Sequence, residues 1–216
     1  MEIVFGQSYR IHVHNFSIAE AALVWKEAGQ VELSYNTVGP ADLIWNQHNY
    51  YKTSFDSLTF GLKNFKKNIK QSNFNQKIEI KYQDGTLNYD EKFLPREKNI
   101  KTIFTLMSLL RNEAAHSLDG INYLLDHEGK LFDARFLWSD TTRLTSENIL
   151  CDWYRLDLKQ AVQSDSFYED TDTFMEYVAK TDLVRQIWVE RFGNRRIIKA
   201  LIIVHGLPFE AVIINE

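Results

Sequence analysis

The sequence has few of the residues that cross-link small secreted domains or loosen flexible chains. It contains one cysteine, Cys151, three prolines and nine glycines in 216 residues. A single cysteine excludes an internal disulfide and indicates a reducing compartment. The low proline and glycine content, with 44% hydrophobic and 13% aromatic residues, excludes a disordered or low-complexity chain. We therefore expect a globular protein with a sizeable core.

Long apolar runs and a basic excess are also missing. No apolar segment reaches the roughly 20 residues of a membrane span, and the N-terminus lacks the basic start and apolar region of a signal peptide. With 25 Lys and Arg against 29 Asp and Glu, the net charge is −4, so nucleic-acid contact would require a local patch. These absences predict a cytoplasmic protein without a membrane partner. No phosphate-loop, zinc-peptidase or paired-cysteine motif is present, so we expect neither a metal nor a cofactor.

The most informative stretch runs from Lys98 to Leu125 and is predicted to form one long helix. Its apolar residues recur at intervals of three and four, which is the helical period. Pro95 upstream favours a helix start shortly after it, and Gly129 downstream offers a stop. The apolar residues of this pattern are Ile100, Ile103, Phe104, Met107, Leu110, Ala114 and Leu118.

This predicted helix would carry a cation and an imidazole on one side. At about 100° per residue, Arg111 and His116 lie on the two rims of one polar sector. Asn112 is four positions before His116 and is its direct neighbour, and Tyr123 falls on nearly the same line. Arginine binds anions with a planar fork, and histidine can transfer a proton near neutral pH. The set is therefore suited to a phosphate with a nearby hydroxyl.

The segment Leu110–Ser117 resembles the signature of the HEPN superfamily, in which four to six residues separate an Arg from a His and a polar residue often follows the Arg. HEPN proteins are mostly helical bundles, and many are dimeric, metal-independent ribonucleases of toxin or antiviral defence systems. The resemblance implies that Arg111 and His116 are catalytic and that Asn112 supports them. It implies an endoribonuclease at a homodimer interface, where the RNA 2′-hydroxyl attacks the adjacent phosphate. RNA is then the substrate, and an antitoxin or other defence protein a further partner.

Two alternatives to the ribonuclease are left open by the residues. The chain could be a non-catalytic HEPN-like module that binds a protein or an RNA. The helix could also be an ordinary surface helix on which Arg111 and His116 are solvated. The HEPN branch paired with nucleotidyltransferases carries a Tyr two residues after the His, whereas this chain has Leu118, which argues against that branch.

A second candidate for RNA contact is the densest basic run of the chain, Lys63, Lys66, Lys67 and Lys70. It lies at the end of a helix predicted from 41 to about 70. These lysines could contact the phosphate backbone, or they could form a solvated face near the helix C-terminus. Tyr123 could stack on a base or merely pack. The apolar seam of the predicted helix is Tyr51, Phe55, Leu58, Leu62, Phe65 and Ile69.

We therefore predict an α+β fold, a mostly helical HEPN-like bundle with an inserted β-hairpin and strands at the N- and C-termini. A first helix is predicted from Ser17 to about Glu32, and the hairpin at 77–89 around Asp84-Gly85. The terminal strands are predicted within residues 2–14 and 197–214. The chain is expected to be a single domain over 1–216. Its helical core would span roughly 17–127, and an accessory region roughly 131–216.

Overall fold

The computed structural model describes residues 4–26, 29–89, 92–144, 148–161 and 170–214. Within these ranges the chain forms fourteen strands and four helices. The strands are β1 Val4–Val13, β2 Phe16–Lys26, β3 Gln30–Thr37, β4 Gln47–Phe55, β5 Leu62–Gln71, β6 Phe74–Gln83, β7 Thr86–Tyr89, β8 Lys92–Pro95, β9 Asn122–His127, β10 Lys130–Leu144, β11 Ile149–Gln160, β12 Val184–Glu190, β13 Ile197–Val204 and β14 Leu207–Ile213. The helices are α1 Pro40–Ile44, α2 Ile103–Asn112, α3 Ala115–Leu118 and α4 Thr173–Ala179.

All of these strands belong to one antiparallel sheet. Its order runs from β8 back to β1 and then from β14 back to β9. β1 pairs with β14, with Tyr9 opposite Ile213, so the two ends of the described chain lie at the centre of the sheet. β8 and β9 are the outermost strands, and residues 96–121, which include α2 and α3, connect them.

The sheet curls until its outermost strands approach each other. Arg96, just after β8, forms an ion pair with Asp126 of β9, with 2.9 Å between Nε and Oδ2. The carbonyl of Lys101 accepts a hydrogen bond from the Asp126 N–H at 2.9 Å. On the other side, the N–H of Leu62 in β5 donates to the carbonyl of Ile100 at 2.8 Å. The connection between β8 and β9 is therefore fastened to both halves of the sheet.

Helix α2 lies inside the curled sheet, at the centre of the core. Its buried residues occur on all sides of the helix, which is typical of an interior helix and not of a surface helix. Phe104 contacts the rings of Tyr51 and Phe65, with centroid distances of 5.3 and 5.8 Å. Trp25 Nε1 donates to Ser108 Oγ at 3.0 Å, so both buried polar groups have a partner.

The helices predicted at 17–32 and 41–70 are wrong. Residues 17–26 lie in β2, 30–32 lie in β3, and most of 41–70 forms β4 and β5. Tyr51 and Phe55 are four residues apart, and this spacing places two residues on one face of a helix and equally on one face of a strand. In β4 the buried residues alternate strictly, from Asn49 to Phe55. The aromatic and β-branched residues of this stretch favour the strand.

The predicted hairpin and terminal strands are confirmed, but in a different architecture. β6 pairs with β7 across the turn at Asp84-Gly85, and β1 pairs with β14. Strands from the expected helical core at 17–127 and from the expected accessory region at 131–216 join the same sheet. The mostly helical bundle is therefore wrong, because the backbone groups of these segments are paired between strands and not within helices.

Candidate functional site

Arg111 and His116, which the sequence places on one helix, lie on two. α2 ends at Asn112, and the following Glu113 and Ala114 are extended, with ψ of 145° and 156°. His116 lies on the separate helix α3, and its side chain is exposed. The helical geometry that would align these side chains in one polar sector therefore does not hold.

Arg111 is engaged in packing. Its guanidinium lies over the rings of Phe5 and Trp25, 3.9 and 4.3 Å from their centroids, and Nη2 donates to a carbonyl of the β12–β13 turn at 3.2 Å. Burial lowers the pKa of Arg111 to about 10. The amide of Asn112 is also occupied, because it donates to the carbonyl of Ser108 at 2.7 Å. These contacts attach the end of α2 to β1, β2 and the β12–β13 turn.

The lysine run is divided between the two faces of β5. Lys63, Lys66 and Lys70 are exposed, and Lys66 pairs with a carboxylate of β6 at 3.1 Å. Lys67 points inward, as strand alternation requires, and its side chain is 0% exposed. One of the four lysines expected at an RNA surface is therefore part of the interior.

Tyr123 lies on β9 and not on a continuation of α2. Its ring is half-buried, and this burial, together with the charge of Glu113, raises the pKa of its hydroxyl. The residues that the sequence assigns to one site are thus distributed over α2, α3, β5 and β9.

Lys67 belongs to a buried charged cluster, which we define as Lys67, Glu128 and Asp172. The Lys67 Nζ lies 2.9 Å from Asp172 Oδ2, donates to Thr171 Oγ1 at 2.8 Å, and also donates to Glu128 Oε1. The hydroxyl of Tyr51 donates to Asp172 Oδ1 at 2.6 Å. Asp172 is the N-cap of α4, and Glu128 lies in the β9–β10 turn. The cluster therefore ties β5 to that turn and to α4.

Burial controls the protonation of this region. Burial raises the pKa of Glu128, although the charge of Lys67 opposes the rise. Burial and the Lys67 charge lower the pKa of the neighbouring His127 to about 3, so its ring is neutral near pH 7. The side chains of the cluster are at most 5% exposed, so the cluster is closed to solvent. We therefore assign it a structural role.

An apolar cavity of about 450 Å³ lies beside α4. It is lined by the inward faces of β1–β3 and β12–β14, by α4 and by Met107 of α2. Its walls are mainly aliphatic and aromatic side chains. Representative wall residues, one from each of six strands, are Ile11, Leu23, Leu33, Ile187, Ile202 and Phe209.

Three alanines make room for this cavity. Ala21 is opposite Tyr9 in the β1–β2 pair, and Ala200 is opposite Ala211 in the β13–β14 pair. All three alanines line the cavity. Protein interiors are normally close-packed, so inward positions of a curled sheet usually carry side chains that meet across it. Short side chains on neighbouring strands leave a space that α2 and α4 do not fill.

Helix α4 covers one side of the cavity, and Trp45 marks its opening. The ring of Phe174 lies 5.8 Å from that of Tyr35 and 5.5 Å from that of Tyr51, which anchors α4 over β3 and β4. Trp45, just after α1, lines the cavity although it is 61% exposed. The cavity therefore reaches the surface beside Trp45.

Sequence reasoning missed both the cavity and the cluster. A signal for Lys67 is present, because alternation from Phe65 to Ile69 places Lys67 on the apolar face of a strand. The cavity has a weaker signal, since its alanines are informative only once the strand register is known. That register joins β1 to β14, whose paired residues are about as far apart in the sequence as the chain allows.

Comparison with known proteins identifies a fold but no family. No protein-family model and no curated protein matches this sequence. Among solved structures, the chain is similar to the crystal structure of a beta-barrel-like protein of the domain of unknown function DUF1849 from Brucella abortus. That match has a TM-score of 0.64 and covers 97% of this chain and 95% of the other, at 8% sequence identity. At this identity the likeness concerns the fold alone.

This likeness and the strand-rich sheet overturn the HEPN resemblance. HEPN proteins are mostly helical bundles, whereas the hexamer from Arg111 to His116 spans the end of α2, an extended pair and the start of α3. The expected roles as a HEPN nuclease, a toxin and an antiviral defence protein are therefore wrong as well, because neither the fold nor the comparisons support them. An RNA substrate and a homodimer stay predictions. No helix in the described ranges has both the length and the apolar character needed to cross a membrane.

Proposed function

We propose that this protein binds an apolar small molecule in the cavity. The observation that carries the proposal is an apolar space of about 450 Å³ that reaches the surface at Trp45. Ligand pockets are commonly about 300–1,000 Å³ and mostly apolar, with a few polar groups. Unfilled apolar space is unfavourable because the lining atoms lack packing partners. A ligand that fills the cavity would therefore stabilise the fold.

The polar groups beside the cavity favour a neutral, largely hydrocarbon ligand. Thr37 Oγ1 already donates to Asp42 at 2.7 Å and accepts from the Gln47 N–H at 2.9 Å. The hydroxyl of Tyr35 keeps its proton, because burial and the charge of Asp172 raise its pKa to about 12. Burying an ionised ligand group without a paired charge would be costly.

The geometry favours binding over RNA cleavage by the predicted pair. Such cleavage needs both side chains on one phosphate, but Arg111 is stacked on Phe5 and Trp25 while His116 is on another helix. The proposal is closer to the non-catalytic alternative from the sequence, with an apolar molecule in place of RNA or protein. A cytoplasmic location is part of the proposal and rests on the single cysteine, Cys151.

The experiment that tests the proposal replaces a small residue of the cavity wall with a larger one. Ala21→Leu adds three carbons on the inward face of β2, and Ala22→Leu adds the same atoms on the opposite face. Binding of dodecan-1-ol would be measured by displacement of the neutral fluorescent reporter N-phenyl-1-naphthylamine. We expect Ala21→Leu to weaken dodecan-1-ol binding at least about tenfold, because the ligand loses apolar contacts worth about 0.8 kcal/mol per CH₂.

The same variants provide a stability readout. Filling existing space should raise the unfolding free energy of Ala21→Leu by about 0.5–2 kcal/mol, whereas Ala22→Leu gains no such packing. Tight dodecan-1-ol binding by both variants, or no binding by the wild type, would reject the cavity as a ligand site.

A further inference from the structure

Large apolar side chains are exposed at the end of the sheet where the cavity opens. We define this rim as Phe16, Leu43, Ile44, Trp45 and Leu207. Leu43 and Ile44 are 89% and 65% exposed, and Trp45 belongs both to the rim and to the cavity wall. The β1–β2 and β13–β14 turns and the β3–β4 connection carry these residues to one place. Contiguous exposed apolar groups of this kind mark protein or membrane contact surfaces.

The rim is held in a fixed position on the sheet. The hydroxyl of Thr37 donates to Asp42 Oδ1 at 2.7 Å, and the amide of Asn46 donates to the same oxygen at 3.1 Å. The N–H of Trp45 donates to the carbonyl of Ala41 at 2.8 Å. These bonds fix α1 at the end of β3, so Leu43 and Ile44 are presented to solvent by a supported turn and not by a loose loop.

Charges of both signs surround the rim. The chain has a net charge of −4. In the turns at 14–15, 38–46, 72–73 and 205–206 the one carboxylate is Asp42, which is bonded as described. The exposed polar groups here include His14, His48 and His205, with Lys70 at the adjoining end of β5. The β11–β12 connection at the same end of the sheet adds the exposed carboxylates of Asp170, Glu176 and Asp182, so a zwitterionic surface suits the rim better than an anionic one.

We propose that the rim docks on a zwitterionic phospholipid bilayer surface. The inference goes beyond ligand binding, although it rests in part on the proposed function, because an apolar ligand is concentrated in a lipid phase and not in water. Leu43, Ile44 and Phe16 enter the headgroup region, and Trp45 takes the interfacial position that its amphipathic ring prefers. The opening of the cavity then faces the phase that holds the ligand.

The test is cosedimentation with vesicles of phosphatidylcholine. The test variant is the pair Leu43→Asp with Ile44→Asp. Leu58→Asp is the matched control, because Leu58 is 88% exposed and lies in the β4–β5 turn at the opposite end of the sheet. We expect the wild type and Leu58→Asp to bind equally, and the double variant to bind at least about tenfold more weakly.

Three results would overturn the proposal. The wild type could fail to bind vesicles, or all three proteins could bind equally. The wild type could also be a dimer in analytical ultracentrifugation that only the double variant dissociates, without vesicle binding, which would assign the rim to a second copy of the chain.

The Ala21→Leu variant separates this inference from the proposed function. Its rim is unchanged, so it should bind vesicles like the wild type while losing dodecan-1-ol. Vesicle binding without any dodecan-1-ol binding by the wild type would reject the ligand site and keep the bilayer surface. The opposite result would keep the ligand site and reject the bilayer surface.

Discussion

The interior of the curled sheet has two contrasting regions. Around Lys67 it is filled with charges, and Glu128 and Asp172 bond directly to the ammonium group. Between β1–β3 and β12–β14 it is apolar and partly empty, because Ala21 and Ala200 are short. The charged region is closed to solvent, whereas the apolar region reaches the surface. The difference indicates that the first region holds the fold together and that the second is available to a ligand.

Helix α4 connects these two regions. Its N-cap, Asp172, belongs to the charged cluster, and its residues Phe174, Tyr177 and Val178 line the cavity. Its other end is held by the buried Arg185, whose Nε donates to the carbonyl of Val178 at 2.7 Å. The charged region therefore positions one wall of the apolar region.

The largest effect should come from removing the cation of the charged region. Lys67→Met leaves Glu128 and Asp172 buried without their partner, and breaking a buried ion pair from one side typically costs about 3–5 kcal/mol. We expect a loss of that size in the unfolding free energy, measured by urea denaturation with tryptophan fluorescence.

The matched control for this prediction is Lys66→Met. Lys66 is the residue before Lys67 in β5, is exposed, and pairs with Glu79 at 3.1 Å, so its removal should cost at most about 1 kcal/mol. Adding Glu128→Gln and Asp172→Asn to Lys67→Met should recover part of the loss. Equal, small losses for Lys66→Met and Lys67→Met would show that the cluster does not hold the fold together.

A smaller effect is expected from the neutral His127 beside the cluster. Its pKa in the fold is about 3, below the ordinary value of 6.5, so the unfolded chain binds a proton over this interval and the folded chain does not. The stability from His127 is therefore complete above pH 6.5 and decreases as the pH falls toward 3, by at most about 1.4 kcal/mol per pH unit. Replacing His127 with Gln should flatten the acid side of the stability profile, measured as urea midpoints from pH 7 to pH 5.

The control for the acid profile is His116→Gln, because the His116 side chain is exposed. Glu128 acts in the opposite direction, since its raised pKa makes the folded state take up a proton first as the pH falls. This contribution is present in the wild type and in the His116 variant, so their profiles should coincide. A His127→Gln profile as steep as these two would contradict a neutral, buried imidazole.

Local patterns predicted only some of the fold. The hairpin at 77–89 could be predicted because Asp84-Gly85 forms a two-residue turn between alternating strands. Tyr51 and Phe55 misled the prediction, since a spacing of four residues satisfies both the helical and the strand period. Pairing between strands decides in favour of the strand, and it joins residues that are distant in the sequence. Tyr51, for example, lies opposite Lys67 of β5.

The candidate site was less predictable than the fold. Arg111 and His116 could act on one phosphate only if a single helix continued through both residues. The extended residues Glu113 and Ala114 interrupt that helix. The cavity depends on Ala200 meeting Ala211 across two strands, which is a property of the register and of no single segment. Lys67 could have been found from its place on an apolar strand face, but its partners Glu128 and Asp172 are fixed only by the closed tertiary structure.

The central claim is that ligand enters the space between β1–β3 and β12–β14. The most direct measurement is NMR of protein labelled with ¹³C at the alanine methyl groups, titrated with dodecan-1-ol. We expect saturable shifts of the methyl signals of Ala21, Ala200 and Ala211, because these residues line the cavity. The signals of Ala22, on the opposite face of β2, and of Ala114, within the Arg111–His116 motif, should stay unchanged. Shifts confined to Ala114, or no shift at the three cavity alanines, would contradict the account.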